Sequence, residues 1–261
     1  MFVWNGDPIA FSLGPVAVHY YGLFFASGFV LGYIIMQFLF KKAGYKTEDL
    51  DKLLTFIFIG TVLGARLGHC LIYEPEFYLS HPIEILKIWR GGLASHGGTL
   101  GVLLAIYLFV KRYHYKFLII ADMLCIPVAL VSTFIRLGNF MNSEILGKYT
   151  DSPLGIVFAR VGDTMPRYPA QLFEAVAYFA IFIILALAYF LIKKRAPGFI
   201  LGLLFILIFT ARFLIEPLKV EQADYSTGIA LNVGQLLSIP FIMLGIGLII
   251  YSQKQLHRLK R

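Results

Sequence analysis

Arg66, Arg136 and Arg212 each stand inside a stretch apolar enough to cross a bilayer. A guanidinium cannot escape hydrocarbon by losing its proton, so each must meet a partner or face a polar hollow. Its planar fork suits bidentate binding of phosphate or carboxylate. The densest polar cluster is RLGNFMNSEILG, residues 136–147. On a helix Arg136 and Asn139 share a face at i, i+3, and the chain is expected to leave the helix near Asn142, with Glu144 and Gly147 beyond. Such a face can hold an anion; the competing reading is a polar helix end whose arginine snorkels to the interface. Arg212 is followed one turn later by Glu216, which either locks two helices as an ion pair or steadies the guanidinium while leaving donors for a phosphate. Arginines from two helices would make a clamp.

His96 lies in GGLASHGGTLG among Gly91, Gly92, Gly97, Gly98 and Gly101, which admit another backbone or a lipid at close range. A histidine at a helix start is commonly a cap, yet imidazole is also the side chain best matched to moving a proton near neutral pH. Tyr20 and Tyr21 fall where an aromatic belt would anchor the chain. Arg66, with His69 and Cys70 on one face, and Asp122 are read as helix-to-helix hydrogen-bonding groups. Glu174, with Gln171, opens a segment where a carboxylate is favourable near a helix N-terminus.

The elements that must position these residues are membrane spans. Of the 261 residues 59% are hydrophobic and 16% aromatic, and the mean hydropathy is +0.77, far outside the soluble range. Runs of about 20 apolar residues give seven spans, at 17–40, 53–73, 93–110, 117–140, 170–192, 199–215 and 231–251. The fold class expected is therefore an all-α polytopic membrane protein forming a single integral domain over 1–261. The net charge of +8 does not point to nucleic acid, because the basic residues alternate by loop. Lys41, Lys42, Lys46 and Lys52, then Lys111, Arg112 and Lys116, then Lys193, Lys194 and Arg195, then Lys254, Arg258, Lys260 and Arg261 mark the cytoplasmic connections. The other connections mix Lys87, Arg90, Lys148, Arg160, Arg167 and Lys219 with acids that include Glu221. The N-terminus is expected outside, the C-terminus inside, and residues 141–169 a small extracytoplasmic cap marked by turn residues. Residues 1–15 carry no basic start and do not read as a cleaved signal peptide. Cys70 and Cys125, both in apolar segments, offer neither a disulfide framework nor a metal site.

The strings GPVAVHYYG (14–22), GARLGH (64–69), WRGGLASHGG (89–98), RLGNFMNSEILG, RYPAQLFEA (167–175), Arg212 with Glu216, and GQLLSIP (234–240) occur in this order. With them the chain resembles the bacterial prolipoprotein diacylglyceryl transferases over essentially its whole length. The resemblance implies a seven-span enzyme of the bacterial cytoplasmic (inner) membrane, its active site towards the outer, periplasmic face. Such an enzyme moves the diacylglyceryl group of phosphatidylglycerol to the lipobox cysteine of a preprolipoprotein, forming a thioether and releasing glycerol phosphate. It also implies Tyr21, His96, Arg136, Asn139, Glu144, Gly147, Arg212 and Glu216 as the important positions. His96, Arg136 and Arg212 would be catalytic, His96 as the base. Tyr21, Asn139, Glu144, Gly147 and Glu216, together with the two arginines, would bind substrate. Ile135 stands where the family usually has glycine. No metal or organic cofactor is called for. A transporter or flippase of an anionic lipid or solute is the competing function, and would be expected to continue its polar residues to the cytoplasmic face. A non-catalytic membrane scaffold is a third.

Overall fold

The computed structural model of the protein describes residues 2–220 and 231–258; Glu221, Lys260 and Arg261 of the loop-charge pattern lie outside the described residues. The chain divides into two compact units, residues 1–36 with 121–261, and residues 37–120. Among the described residues six helices are long and apolar enough to cross a membrane.

The first unit opens with short strands where only helices were expected. Strand β1 (Phe2–Trp4) is followed by β2 (Ile9–Leu13) and β3 (Val16–His19), which form an antiparallel hairpin. Gly14, at φ 59°, turns the chain before Pro15. Residues 17–19, assigned above to the first span, thus belong to a strand, and the all-α expectation needs this correction. The apolar run of the first helix continues without a break from the hairpin strand before it, so run length alone does not mark their boundary. Helix α1 (Tyr20–Lys42) then begins.

The second unit is built on α2 (Thr47–Gly68), which continues through a π-helical turn at His69–Tyr73. A short α3 (Pro75–Ser80) and two 3-10 turns lead to α4 (Ser95–Tyr113). The α2–α4 seam is a glycine track. A Cβ on Gly64 would lie 2.4 Å from the Gly97 carbonyl oxygen, and one on Gly101 would lie 1.9 Å from that of Gly60. Small residues at i, i+4 spacing let two helix backbones touch, so that packing between backbones replaces side-chain burial. The same glycines dilute the hydropathy of α4. It coincides with the expected span 93–110 and is not among the six helices above.

In the first unit α5 (Phe117–Met141), whose residues from Ala121 onward belong here, carries an internal Pro127 and is more buried than the other five. Gly28 and Gly32 of α1 face Val131, Phe134 and Pro127 of α5 at contact distance. After α5 come strand β4 (Ile156–Phe158), parallel to β1, and a 3-10 turn at Ala159–Val161. Helices α6 (Ala170–Leu191), α7 (Phe199–Ile215) and α8 (Val233–Arg258) complete the unit. The carboxylate of Asp122 accepts the main-chain N–H groups of Gly198 and Leu201 at 2.9 and 2.8 Å, so it caps the start of α7 from α5. This is the hydrogen-bonding role expected of it. The unit therefore brings the C-terminal ends of α5 and α7 and the N-terminal ends of α6 and α8 to one pole. Lys193, Lys194, Arg195, Lys254 and Arg258 fall at the other ends of α6 and α8.

Candidate active site

The four helix ends carry a line of charges that alternates in sign. Glu174, on the second turn of α6, has a side chain with 0% exposure. Arg136 Nε, from the last turns of α5, stands 2.9 Å from Glu174 Oε2, an ion pair by distance without hydrogen-bond geometry. Lys219 Nζ stands 2.7 Å from Glu174 Oε1 and 3.1 Å from Glu216 Oε2. The same Glu216 oxygen is 3.8 Å from Arg212 Nε. The order is thus Arg136, Glu174, Lys219, Glu216, Arg212. A carboxylate taken out of water needs a full complement of partners; Tyr178 Oη adds a donor to Glu174 at 3.4 Å.

Three cations face two carboxylates in this line, leaving one positive charge over, the charge of a phosphodiester with its sign reversed. Arg212 ends the line. Its side chain is 40% exposed, while its Nε is buried and has no hydrogen-bond partner among the described residues.

The signature segment wraps one end of the line. Arg136 Nη1 donates to Asn139 Oδ1 at 3.2 Å, as the i, i+3 spacing predicts. Asn139 Nδ2 donates to Glu144 Oε2 at 2.9 Å, and Asn142 Nδ2 to Glu144 Oε1 at 3.0 Å. Glu144 thus reaches Arg136 only through Asn139, while the carboxylate paired directly with Arg136 is that of Glu174. The main-chain oxygen of Glu144 accepts from Gln171 Nε2. Ser143 and Ile145, on either side of Glu144, sit at φ 55° and 54°, a region that a β-branched residue rarely enters. Gly147 has its own steric reason: a Cβ there would meet the Tyr168 carbonyl oxygen at 2.3 Å and that of Leu218 at 2.9 Å. Gly234, at the start of α8, similarly leaves room for the Glu216 carboxylate, which a Cβ would approach within 2.2 Å. Tyr21 packs beneath Gly138, where an added Cβ would lie 2.7 Å from its ring.

Seven of the eight expected residues, Tyr21, Arg136, Asn139, Glu144, Gly147, Arg212 and Glu216, lie in the first unit. His96 is an exposed residue on the first turn of α4, in the second unit. The loop before it is held by Arg66, which is buried and donates to the carbonyls of Glu84, Ile85, Gly91 and Gly92 at 2.5 to 3.1 Å. Arg66 was expected to bond helix to helix; it instead fastens a loop, with the Tyr78 ring 4.9 Å away. Sequence reasoning missed Lys219, counted only as a loop charge, and valued Glu174 only for its helix position. The i, i+3 spacing of Glu216 and Lys219 was the available signal for the first. Nothing local pointed to the pairing of Glu174 with residues 38 positions before it and 45 after it.

Among the described residues, six apolar helices that expose large hydrophobic side chains, with an internal ionic line that ends at a part-exposed arginine, define a polytopic helical membrane protein. Residues 8–251 match the sequence profile of the family described as Prolipoprotein diacylglyceryl transferase. The chain is 58% identical over 256 residues to the phosphatidylglycerol–prolipoprotein diacylglyceryl transferase of Tolumonas auensis, covering 98% of this chain and 99% of that one. It is 46% identical to the protein of the same name from Chloroherpeton thalassium (97% and 94% covered) and 40% to that from Bacteroides fragilis (97% and 95%). The chain belongs to the prolipoprotein diacylglyceryl transferase family.

Proposed function

We propose that this protein is a transferase that moves the diacylglyceryl group of phosphatidylglycerol to a prolipoprotein, at the charge line described above. The observation that carries the reading is the alternating line itself. It supplies fixed donors with a surplus of one positive charge at the end of a helical bundle, where a lipid phosphate can arrive from the side. The near-full-length likeness to proteins named for this reaction supports the same choice of substrates.

In the proposed reaction the lipobox cysteine thiol gives up its proton, and the thiolate sulfur attacks the glycerol carbon that bears the phosphate ester. A sulfur–carbon bond forms, the carbon–oxygen bond breaks, and the proton ends on the departing glycerol phosphate. A thiol with pKa about 8.5 needs a base or a positive charge close by to react at neutral pH. His96 is the proposed base. Arg136 and Arg212 stabilise the charge that grows on the leaving oxygen, which they hold more strongly in the transition state than in the bound lipid. Asn139 orients Arg136 and the head group, Glu144 steadies Asn139, Glu216 steadies Arg212, and Tyr21 lines the pocket.

In this reading α4 is a seventh span whose apolarity was exchanged for close backbone packing. Residues 141–169 form an outer cap on a single integral domain, the basic ends of α6 and α8 lie in the cytoplasm, and the charge line lies under the outer face of the bacterial inner membrane. The test is purified protein in vesicles with a lipobox peptide. With phosphatidylglycerol the peptide should gain one diacylglyceryl group in thioether linkage. Vesicles of phosphatidylethanolamine alone should give none, and equal product from both lipids would refute the proposed head-group selection.

A further inference from the structure

Lys219 sits in the middle of the charge line and touches neither end. It is 7% exposed, and its ammonium is shared between carboxylates from two elements, Glu174 on α6 and Glu216 on the 3-10 turn Glu216–Leu218 that follows α7. Its main chain is tied to the signature segment as well. Gly147 and Lys219 form an antiparallel bridge, Lys148 N–H donates to Leu218 at 2.7 Å, and Val220 N–H donates to Leu146 at 3.2 Å. One residue therefore joins α6, the end of α7 and the segment after α5.

We infer that Lys219 is a positioning residue for the transfer: its ammonium occupies the inner faces of Glu174 and Glu216, so that Arg136 and Arg212 stay turned towards the lipid phosphate. The inference rests on the reaction proposed above. Two carboxylates left with two arginines would balance exactly. Each guanidinium would then be drawn wholly onto its own carboxylate, and the surplus charge that meets the phosphate would vanish. With the ammonium in place, both carboxylates are partly neutralised and the forks keep donors for a ligand. A lysine suits the task because its compact charge carries three donors and can serve two acceptors at once.

The experiment compares steady-state kinetics in phosphatidylglycerol vesicles for wild type, Lys219→Met, Lys219→Arg and the double variant Lys219→Met/Glu216→Gln, with Arg136→Ala as the inactive reference. Detergent melting is recorded for each. Lys219→Met should lower kcat/KM by about thirtyfold or more, the size expected when one partner of a buried charge pair is removed, with KM for the lipid rising. Lys219→Arg should stay within a few-fold of wild type. The double variant restores the single positive surplus and should regain about tenfold over Lys219→Met. A lysine that serves packing alone would show further loss in the double variant, and that result overturns the inference. So does a Lys219→Met enzyme with near-normal kinetics beside an inactive Arg136→Ala. If Lys219→Met does not fold, the double variant decides: transfer within about tenfold of wild type supports the role, and a folded double variant below that level rejects it. A wild type that makes no thioether removes the reaction and the role together.

Discussion

Arg136 and Glu174 illustrate how much of a site can be invisible along the chain. The spacing of Arg136 and Asn139 announced a shared helix face, and the structure joins them at 3.2 Å. The partner that neutralises Arg136, however, lies on another helix, and no periodicity links the two. Gly147 is the opposite case, since its need is purely steric and local to the bridge it makes. Gly147→Ala would push a methyl into the Tyr168 carbonyl, and overpacking of that kind costs about 1–3 kcal/mol. We expect it to depress activity more than melting temperature, because the bridged segment it would displace carries Lys219; equal activity in Gly147→Ala would contradict the close fit. Asp163 gives a pH signature outside the spans. Arg167 Nε and Nη2 donate to its carboxylate at 2.7 and 2.9 Å, with Tyr149 Oη at 3.0 Å. These bonds, that of Arg167 first, hold its carboxyl below the usual range. A folded pKa below the unfolded one gives stability that is fully present above about pH 4 and is lost as pH falls through the folded value. The difference in melting temperature between wild type and Asp163→Asn should thus be constant from about pH 6 to 8 and shrink below about pH 4; a difference that grows in acid would reverse the assignment.

At the scale of the element, hydrophobic run length located the helices well because a span must satisfy its own backbone for its whole length. It failed where apolarity was exchanged for something else. The period-two alternation of the hairpin β2–β3 is interrupted by the turn at Gly14, and the apolar run reaches three residues back from Tyr20 into β3. In α4 the glycines flanking His96 raised the expectation of a close neighbour, and that neighbour is the backbone of α2. The seam predicts its own sensitivity. Gly64→Val should force α2 and α4 apart, since even a Cβ would lie 2.4 Å from the Gly97 oxygen, and should lower detergent stability by at least about 1–3 kcal/mol. The same change at Gly247, where a Cβ meets nothing within 4 Å, serves as the control. Equal melting of the two variants would show that the seam does not hold the unit together. Arg66 acts at this scale too, because its fork spends all its bonds on loop carbonyls and so sets the path of the chain into α4.

Across the whole molecule the charges are sorted by pole in the unit that carries the ionic line. Acids and cations pair at the pole of Glu174, and the ends of α6 and α8 away from it carry Lys193, Lys194, Arg195, Lys254 and Arg258 without an acid among them. The loop charges of the sequence already implied that sorting, because the bias follows the chain in alternate connections. What they could not convey is that the charges at the Glu174 pole form one continuous line instead of scattered surface pairs. Convergence of distant helices is a tertiary fact. The central claim is that Arg136 and Arg212, from α5 and α7, act on one phosphate. Single-turnover transfer from phosphatidylglycerol to a lipobox peptide, measured for Arg136→Ala, Arg212→Ala and the double variant at matched folded concentration, tests it most directly. Groups that act as a unit are far from additive. The account predicts that either single change abolishes most of the rate and that the double change adds little. Independent, multiplying losses, or near-normal transfer by either single variant, would contradict it.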